Sequence, residues 1–141
     1  MRLLLDTHAF LWFVSDDERL STRARRTISD PKNDRWLSLA SVWEMAIKLS
    51  LGKLRLDVPL DEMLESEALG NAIAILGIER RHIFAVAALP YHHRDPFDRL
   101  LVCQARSERL TLVSADRAFD AYGLRRVWDD EAVESSGASD D

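Results

Sequence analysis

The sequence of 141 residues is long enough for one domain with a sizeable core, and apolar residues make up 47 % of it. Charged residues contribute 30 %, and no apolar run approaches the roughly 20 residues of a membrane span, which excludes a disordered or membrane-embedded chain. The early acid Asp6 does not fit a signal peptide, and a single cysteine, Cys103, excludes an internal disulfide. We therefore expect a cytoplasmic protein.

The net charge of −5 argues against a nucleic-acid partner until its distribution is considered. Six of the 24 acids and no Lys or Arg lie between Asp129 and Asp141, so residues 1–128 carry all 19 basic residues against the remaining 18 acids. A polyanion can bind such a body, especially if metal ions neutralise some of its carboxylates.

Short apolar runs alternate with amphipathic stretches along the chain. The runs predict strands at residues 2–5, 36–39, 72–76, 110–113 and 126–128. The stretches between them predict helices at 7–14, from 21 onward, and at 41–49, 59–70, 79–89, 96–109 and 117–122. Because strands and helices alternate without hairpin signals, we predict an α/β fold with a central parallel sheet flanked by helices.

We expect residues 1–130 to form this domain. Residues 131–141 are small, polar and acidic, which is typical of a disordered tail.

Four acids stand where apolar runs give way to polar sequence: Asp6, Glu44, Asp98 and Asp116. The carboxyl ends of parallel strands meet at one rim of a sheet, so we expect these side chains to converge. Unpaired carboxylates would repel each other there, and Mg²⁺ or Mn²⁺ with oxygen ligands would relieve the repulsion. The pattern therefore predicts a metal-dependent site for phosphodiester cleavage.

Each acid also has a structural explanation. Asp6 and Asp95 stand where they can cap helices, and Ser41 to Glu44 matches a capping box. Glu44 can alternatively pair with Lys48 one turn later. Capping explains each acid separately but predicts nothing about their convergence.

Four segments, taken in order, resemble the motifs of PIN-domain proteins, and specifically of VapC-type ribonuclease toxins. They are Leu3-Leu4-Leu5-Asp6-Thr7-His8, Ser41-Val42-Trp43-Glu44-Met45-Ala46-Ile47-Lys48, Leu89-Pro90-Tyr91-His92-His93-Arg94-Asp95-Pro96-Phe97-Asp98-Arg99-Leu100-Leu101 and Leu112-Val113-Ser114-Ala115-Asp116. The resemblance covers about residues 2–128. It implies a three-layer α/β/α sandwich and RNA cleavage that depends on one or two Mg²⁺ or Mn²⁺ ions.

The resemblance places the catalytic and metal-binding acids at Asp6, Glu44, Asp98 and Asp116. It favours Asp98 over Asp95 as the third acid, and it makes Thr7, Ser114 and Asp95 supporting residues. It also implies an RNA substrate, a small cognate antitoxin protein and a homodimer.

Basic side chains near the predicted rim are candidates for contact with RNA. These are Arg94, Arg99, Arg117, His92 and His93, although the two histidines can instead orient the loop before Pro96. The histidines and Cys103 match no zinc-binding spacing.

Two other functions remain open. One is a Mg²⁺-dependent phosphohydrolase, although His8 occupies the place where such enzymes usually carry a second acid. The other is a catalytically inactive PIN-like binding module, against which the presence of all four acids argues.

Overall fold

The computed structural model describes residues 1–128, so the predicted boundary at 130 and the acidic tail lie outside the described residues. Five strands form the sheet: β1 (Arg2–Leu5), β2 (Asp34–Ser38), β3 (Ile73–Leu76), β4 (Thr111–Val113) and β5 (Arg126–Val127). Six α-helices connect them: α1 (Thr7–Val14), α2 (Thr22–Ser29), α3 (Leu39–Ser50), α4 (Leu60–Met63), α5 (Arg80–Val86) and α6 (Pro96–Glu108). A 3₁₀ helix at Arg117–Tyr122 precedes β5.

All described strand pairs are parallel, in the order β3-β2-β1-β4-β5. Leu5, the last residue of β1, pairs with Leu37 on one side and Val113 on the other. The residues that follow these three positions therefore stand level with one another at the carboxyl edge of the sheet. This edge is where a parallel sheet places its ligand-binding groups.

Helices cover both faces of the sheet. Leu3 and Leu5 pack with Phe10, Ile28 and other residues of the first helices, in one apolar cluster. The intervening Leu4 points to the opposite face and packs into a second cluster that α6 dominates. All three leucines are fully buried, as expected for a central parallel strand. The predicted three-layer α/β/α sandwich is confirmed.

Several predicted boundaries differ from the structure. The second strand ends at Ser38 rather than 39, because α3 already begins at Leu39. The helix predicted at 59–70 is a succession of α4, a π-helical turn (Leu64–Ala68) and a 3₁₀ turn (Leu69–Asn71). Ala72, predicted to begin β3, instead adopts a left-handed φ of 57° that redirects the chain into the strand.

Within residues 1–128, no helix combines the length and hydropathy needed to cross a membrane.

Candidate active site

The four predicted acids line one pocket at the carboxyl edge of the sheet. The pocket has a volume of about 200 Å³. Its walls also include Thr7, His8, Lys48, Asp95 and Phe119. The structure thus brings together side chains that are up to 110 positions apart in the sequence, between Asp6 and Asp116.

Asp6 is held at the junction of β1 and α1. Its backbone N–H donates to the Val113 carbonyl at 3.1 Å, and its carboxylate caps α1 by accepting from the Ala9 N–H at 2.8 Å. Burial raises the pKa of Asp6, and hydrogen bonds from Ser114 and Ala9 only partly offset that effect. The capping interpretation is therefore correct, but it leaves a partly buried carboxylate that also lines the pocket.

Ser114 links two of the acids. It is fully buried directly after β4, and its Oγ accepts a hydrogen bond from the Asp116 N–H at 3.0 Å while its hydroxyl bonds to Asp6. A small hydroxyl fits this position because it satisfies both neighbours without filling the pocket.

Glu44 is fixed by its neighbours rather than by a capping box. The Thr7 hydroxyl donates to Glu44 Oε1 at 2.6 Å, and Lys48 Nζ lies 3.0 Å from Oε2. The alternative of a capping box at Ser41 does not hold, because the N-cap of α3 lies three residues earlier. Ser38 is the actual N-cap, accepting from the Ala40 N–H at 3.0 Å. This shift places Glu44 in the second turn of α3, where it faces Thr7.

Asp95 and Asp98 occupy the start of α6. Asp95 is the N-cap and accepts from the N–H groups of Phe97 and Asp98 at 2.8 and 3.3 Å. Pro96 occupies the first turn, where its missing N–H costs nothing. Burial, assisted by the neighbouring charge of Asp95, raises the pKa of Asp98 to about 7.

Asp116 caps the 3₁₀ helix and pairs with a histidine. Its Oδ1 accepts from the Ala118 N–H at 2.9 Å, and its Oδ2 lies 2.8 Å from Nε2 of His93. Burial alone would raise the pKa of Asp116, but the contact with His93 and the Ala118 hydrogen bond hold it below its ordinary value. His93 itself stacks on Phe119, with 4.4 Å between ring centroids.

The sequence-based prediction missed His93 as a candidate ligand. One ligand atom each from His93, Asp98 and Asp116 lie within 4.8 Å of one another. The sequence predicts a role for His93 in the loop or in RNA contact, because nothing in its local sequence shows where the loop turns. Its position two residues before Asp95, the N-cap of α6, was the available signal.

The donor set suits a hard divalent cation. The pocket is lined by five carboxylates, namely the four predicted acids and Asp95. Lys48 is the one lysine or arginine among its lining residues. The raised pKa values of Asp6 and Asp98 show that the enclosure disfavours carboxylate charge. A cation bound by oxygen ligands, with His93 as an additional nitrogen ligand, would stabilise the ionised form.

The candidate RNA-contacting residues fall into two groups. Arg94, Arg117 and His92 are exposed, and His93 is partly buried beside Asp116. Arg99 is different, because it is 5 % exposed and donates hydrogen bonds to the carbonyls of Pro90, Val86 and Leu89. These contacts disfavour the predicted role of Arg99 in binding RNA, which stays a prediction. Its guanidinium anchors the loop between α5 and α6.

Comparison with known proteins shows which family this chain resembles. A PIN domain model matches residues 3–124. Ribonuclease VapC22 from Mycobacterium tuberculosis is 27 % identical over 130 residues, which cover 89 % of this chain and 98 % of the relative.

Two solved structures share the fold at low identity. VapBC2 from Rickettsia felis, bound to a DNA fragment from its promoter, has a TM-score of 0.66 at 16 % identity, covering 92 % of this chain and all of the other. VapBC-1 from nontypeable Haemophilus influenzae has a TM-score of 0.58 at 14 % identity, with coverage of 90 % and 97 %. Because the family model spans most of the sequence and the fold agrees with it, the chain belongs to the PIN domain family.

Proposed function

We propose that this protein is a Mg²⁺- or Mn²⁺-dependent endoribonuclease and the toxin of a type II toxin–antitoxin pair. The observation that carries the proposal is the convergence of Asp6, Glu44, Asp98 and Asp116 on one small pocket. Membership of the PIN family and similarity to a protein named as a ribonuclease support it.

Asp6, Asp98 and Asp116 are the proposed metal-binding side chains, with Glu44 acting directly or through water. A bound divalent ion supplies charge neutralisation at the phosphate and lowers the pKa of a water molecule. Asp98, whose pKa is about 7 without a metal, would be ionised once a cation is bound.

The surrounding side chains hold the acids in position. Thr7 and Lys48 fix the two oxygens of Glu44, Ser114 orients Asp6, and His93 orients Asp116 as long as no cation is bound. Asp95 sets the start of α6 and hence the position of Asp98. Arg94, Arg117 and His92 remain candidates for phosphate contact.

The proposal includes protein partners. The two solved structures described above are VapBC complexes, so a small antitoxin is the expected partner of this chain. A homodimer is also proposed, and large exposed apolar side chains such as Trp43, Phe84 and Tyr91 provide surface for protein contacts. A cytoplasmic location fits an enzyme that acts on cellular RNA.

Cleavage of a labelled RNA by the purified protein tests the proposal. We expect cleavage with added Mg²⁺ or Mn²⁺ and none in excess chelator. The Asp6→Asn variant, purified in parallel, should be slower by orders of magnitude, which also excludes a contaminating nuclease. Undiminished cleavage in chelator would contradict the metal mechanism. No cleavage of any RNA by the folded, metal-loaded protein would favour an inactive binding module.

A further inference from the structure

A groove of about 360 Å³ lies beside the acidic pocket. One wall is the outward side of α1, including Leu11 and Val14, and the other is the segment 53–56 that follows α3. His8 and Lys48 line both the groove and the acidic pocket. A chain-like ligand bound at the carboxylates can therefore continue into the groove.

Flat aromatic rings stand at the junction of the two cavities. The exposed His8 ring stacks on Trp12, with centroids 5.4 Å apart and an interplanar angle of 14°. The Arg19 guanidinium lies 5.0 Å from the centroid of the Trp12 ring and adds a cation to the stack. Nucleic-acid bases stack on such surfaces with little regard to sequence.

The groove carries a surplus of positive charge. Lys48, Lys53, Arg19 and Arg55 line it, against a single acid, Asp17. Asp17 is already paired with Arg19 at 2.7 Å. Within residues 1–128, Lys53 and Arg55 are exposed and show no ion-pair partner. The acidic pocket is therefore bordered on this side by free cations.

We propose that the groove binds the nucleotide next to the bond being cleaved, with its base on the His8–Trp12 stack and its phosphates near Lys53 and Arg55. The inference rests on the proposed function in taking RNA as the substrate and the acidic pocket as the place of cleavage. An RNA strand needs a cationic path to approach a cluster of carboxylates, and this groove supplies one. Its cationic rim favours RNA over an apolar protein segment.

Charge reversal at the two free cations tests the phosphate contacts. A short fluorescein-labelled single-stranded RNA is titrated by fluorescence anisotropy at several salt concentrations, with all proteins carrying Asp6→Asn to suppress cleavage. Lys53→Glu with Arg55→Glu should weaken binding at least about ten-fold at low salt. The slope of log affinity against log salt should fall by about 1.4, the value for two lost single-strand phosphate contacts.

The matched control reverses one Lys and one Arg elsewhere. Lys32 and Arg125 are exposed and lie just before β2 and β5, at the amino edge of the sheet, opposite the site. Lys32→Glu with Arg125→Glu makes the same change in net charge and should leave the salt slope unchanged. Equal effects of the two double variants would overturn the proposal.

Photo-crosslinking tests the base position independently. RNA containing 4-thiouridine should give peptide adducts at His8 or Trp12, and adducts confined to other regions would overturn the proposal. If the Lys53/Arg55 variant binds RNA like its parent but loses a co-expressed protein partner, the groove is a protein-binding site and the inference is wrong. If the wild-type protein cleaves RNA with metal but the Lys53/Arg55 variant binds RNA as tightly as its parent, only the groove proposal is contradicted. If RNA binds through the groove but is never cleaved, only the proposed nuclease activity is contradicted.

Discussion

Asp95 and Asp98 stand three residues apart at the start of α6 but have different environments. Asp95 is exposed and accepts two backbone N–H groups, whereas Asp98 is partly buried among the other pocket acids. Asp98→Ala should abolish cleavage. Asp95→Ala should retain activity and lower the free energy of unfolding by about 0.5–2 kcal/mol, the usual effect of a lost N-cap.

Turnover and urea denaturation, measured on both variants, separate these roles. Loss of cleavage in Asp95→Ala with normal activity in Asp98→Ala would move the third acid to Asp95.

The pocket also predicts how stability depends on pH. The pKa of Asp98 rises from 3.8 to about 7 on folding, so between these values the folded state binds more protons than the unfolded state. Stability from this group is therefore highest below about pH 4 and is lost as the pH rises to about 7. The melting temperature of the metal-free protein should fall across this range more steeply than that of Asp98→Asn.

Saturating Mg²⁺ or Mn²⁺ should remove this difference, because a bound cation favours the ionised carboxylate. Parallel pH profiles for the metal-free protein and Asp98→Asn would show that Asp98 is not destabilised in the pocket.

The position of Asp6 could be predicted from sequence because a buried strand ends immediately before it. The same holds for Asp116, which follows β4 after two residues. His93 could not be placed this way, since its approach to Asp116 depends on the path of the loop before α6 and on stacking with Phe119 and Tyr122. Such contacts between distant segments leave no periodic signal.

At the scale of elements, the start of α3 shows how local signals compete. Ser38 and Ser41 both suit an N-cap, and the sequence around Ser41 has the better capping box. The structure selects Ser38, whose hydroxyl also donates to the buried Gln104 of α6 at 2.6 Å. That tertiary contact decides the boundary, and it is invisible to a local pattern.

The loop between α5 and α6 depends on Arg99. Its buried guanidinium donates to three backbone carbonyls and lies 3.8 Å from the centroid of the Tyr91 ring. Arg99→Met would leave those carbonyls without their donors, so we expect a loss on the order of 3 kcal/mol in the free energy of unfolding. Chemical denaturation measures this loss.

Arg94→Met is the matched control, because Arg94 is exposed in the same loop and should change stability by no more than about 0.5 kcal/mol. Unchanged stability but weaker RNA binding in Arg99→Met would return Arg99 to the RNA-contacting group.

At the scale of the whole molecule, the alternation of strands and helices was sufficient to predict the parallel sheet and its two helical layers. The strand order was not predicted, because it depends on which crossover each connection takes. Because β1 lies between β2 and β4, the acids that come after these three strands converge. If β1 were at an edge of the sheet, the same acids would lie farther apart.

The distribution of charge gives a further prediction. Deleting residues 131–141 removes Glu131, Glu134, Asp140 and Asp141, which changes the net charge from −5 to −1. Long-range repulsion of RNA should decrease, so the truncated protein should bind RNA more tightly at low salt. This gain in affinity should shrink as salt is raised, because the Debye length is about 8 Å at physiological salt and decreases further above it. Equal affinities of the two proteins at low salt would show that these charges lie too far from the RNA.

The central claim is that the converging carboxylates form a site for a divalent cation. Calorimetric titration of the wild-type protein with Mn²⁺, alongside the Asp6→Asn/Asp98→Asn double variant, tests it most directly. We predict saturable binding of one or two ions to the wild-type protein and at least about a ten-fold loss of affinity in the variant, since two ligand charges are removed at nearly constant volume. Equal Mn²⁺ affinity in a folded double variant, or no binding to the wild-type protein, would contradict the claim.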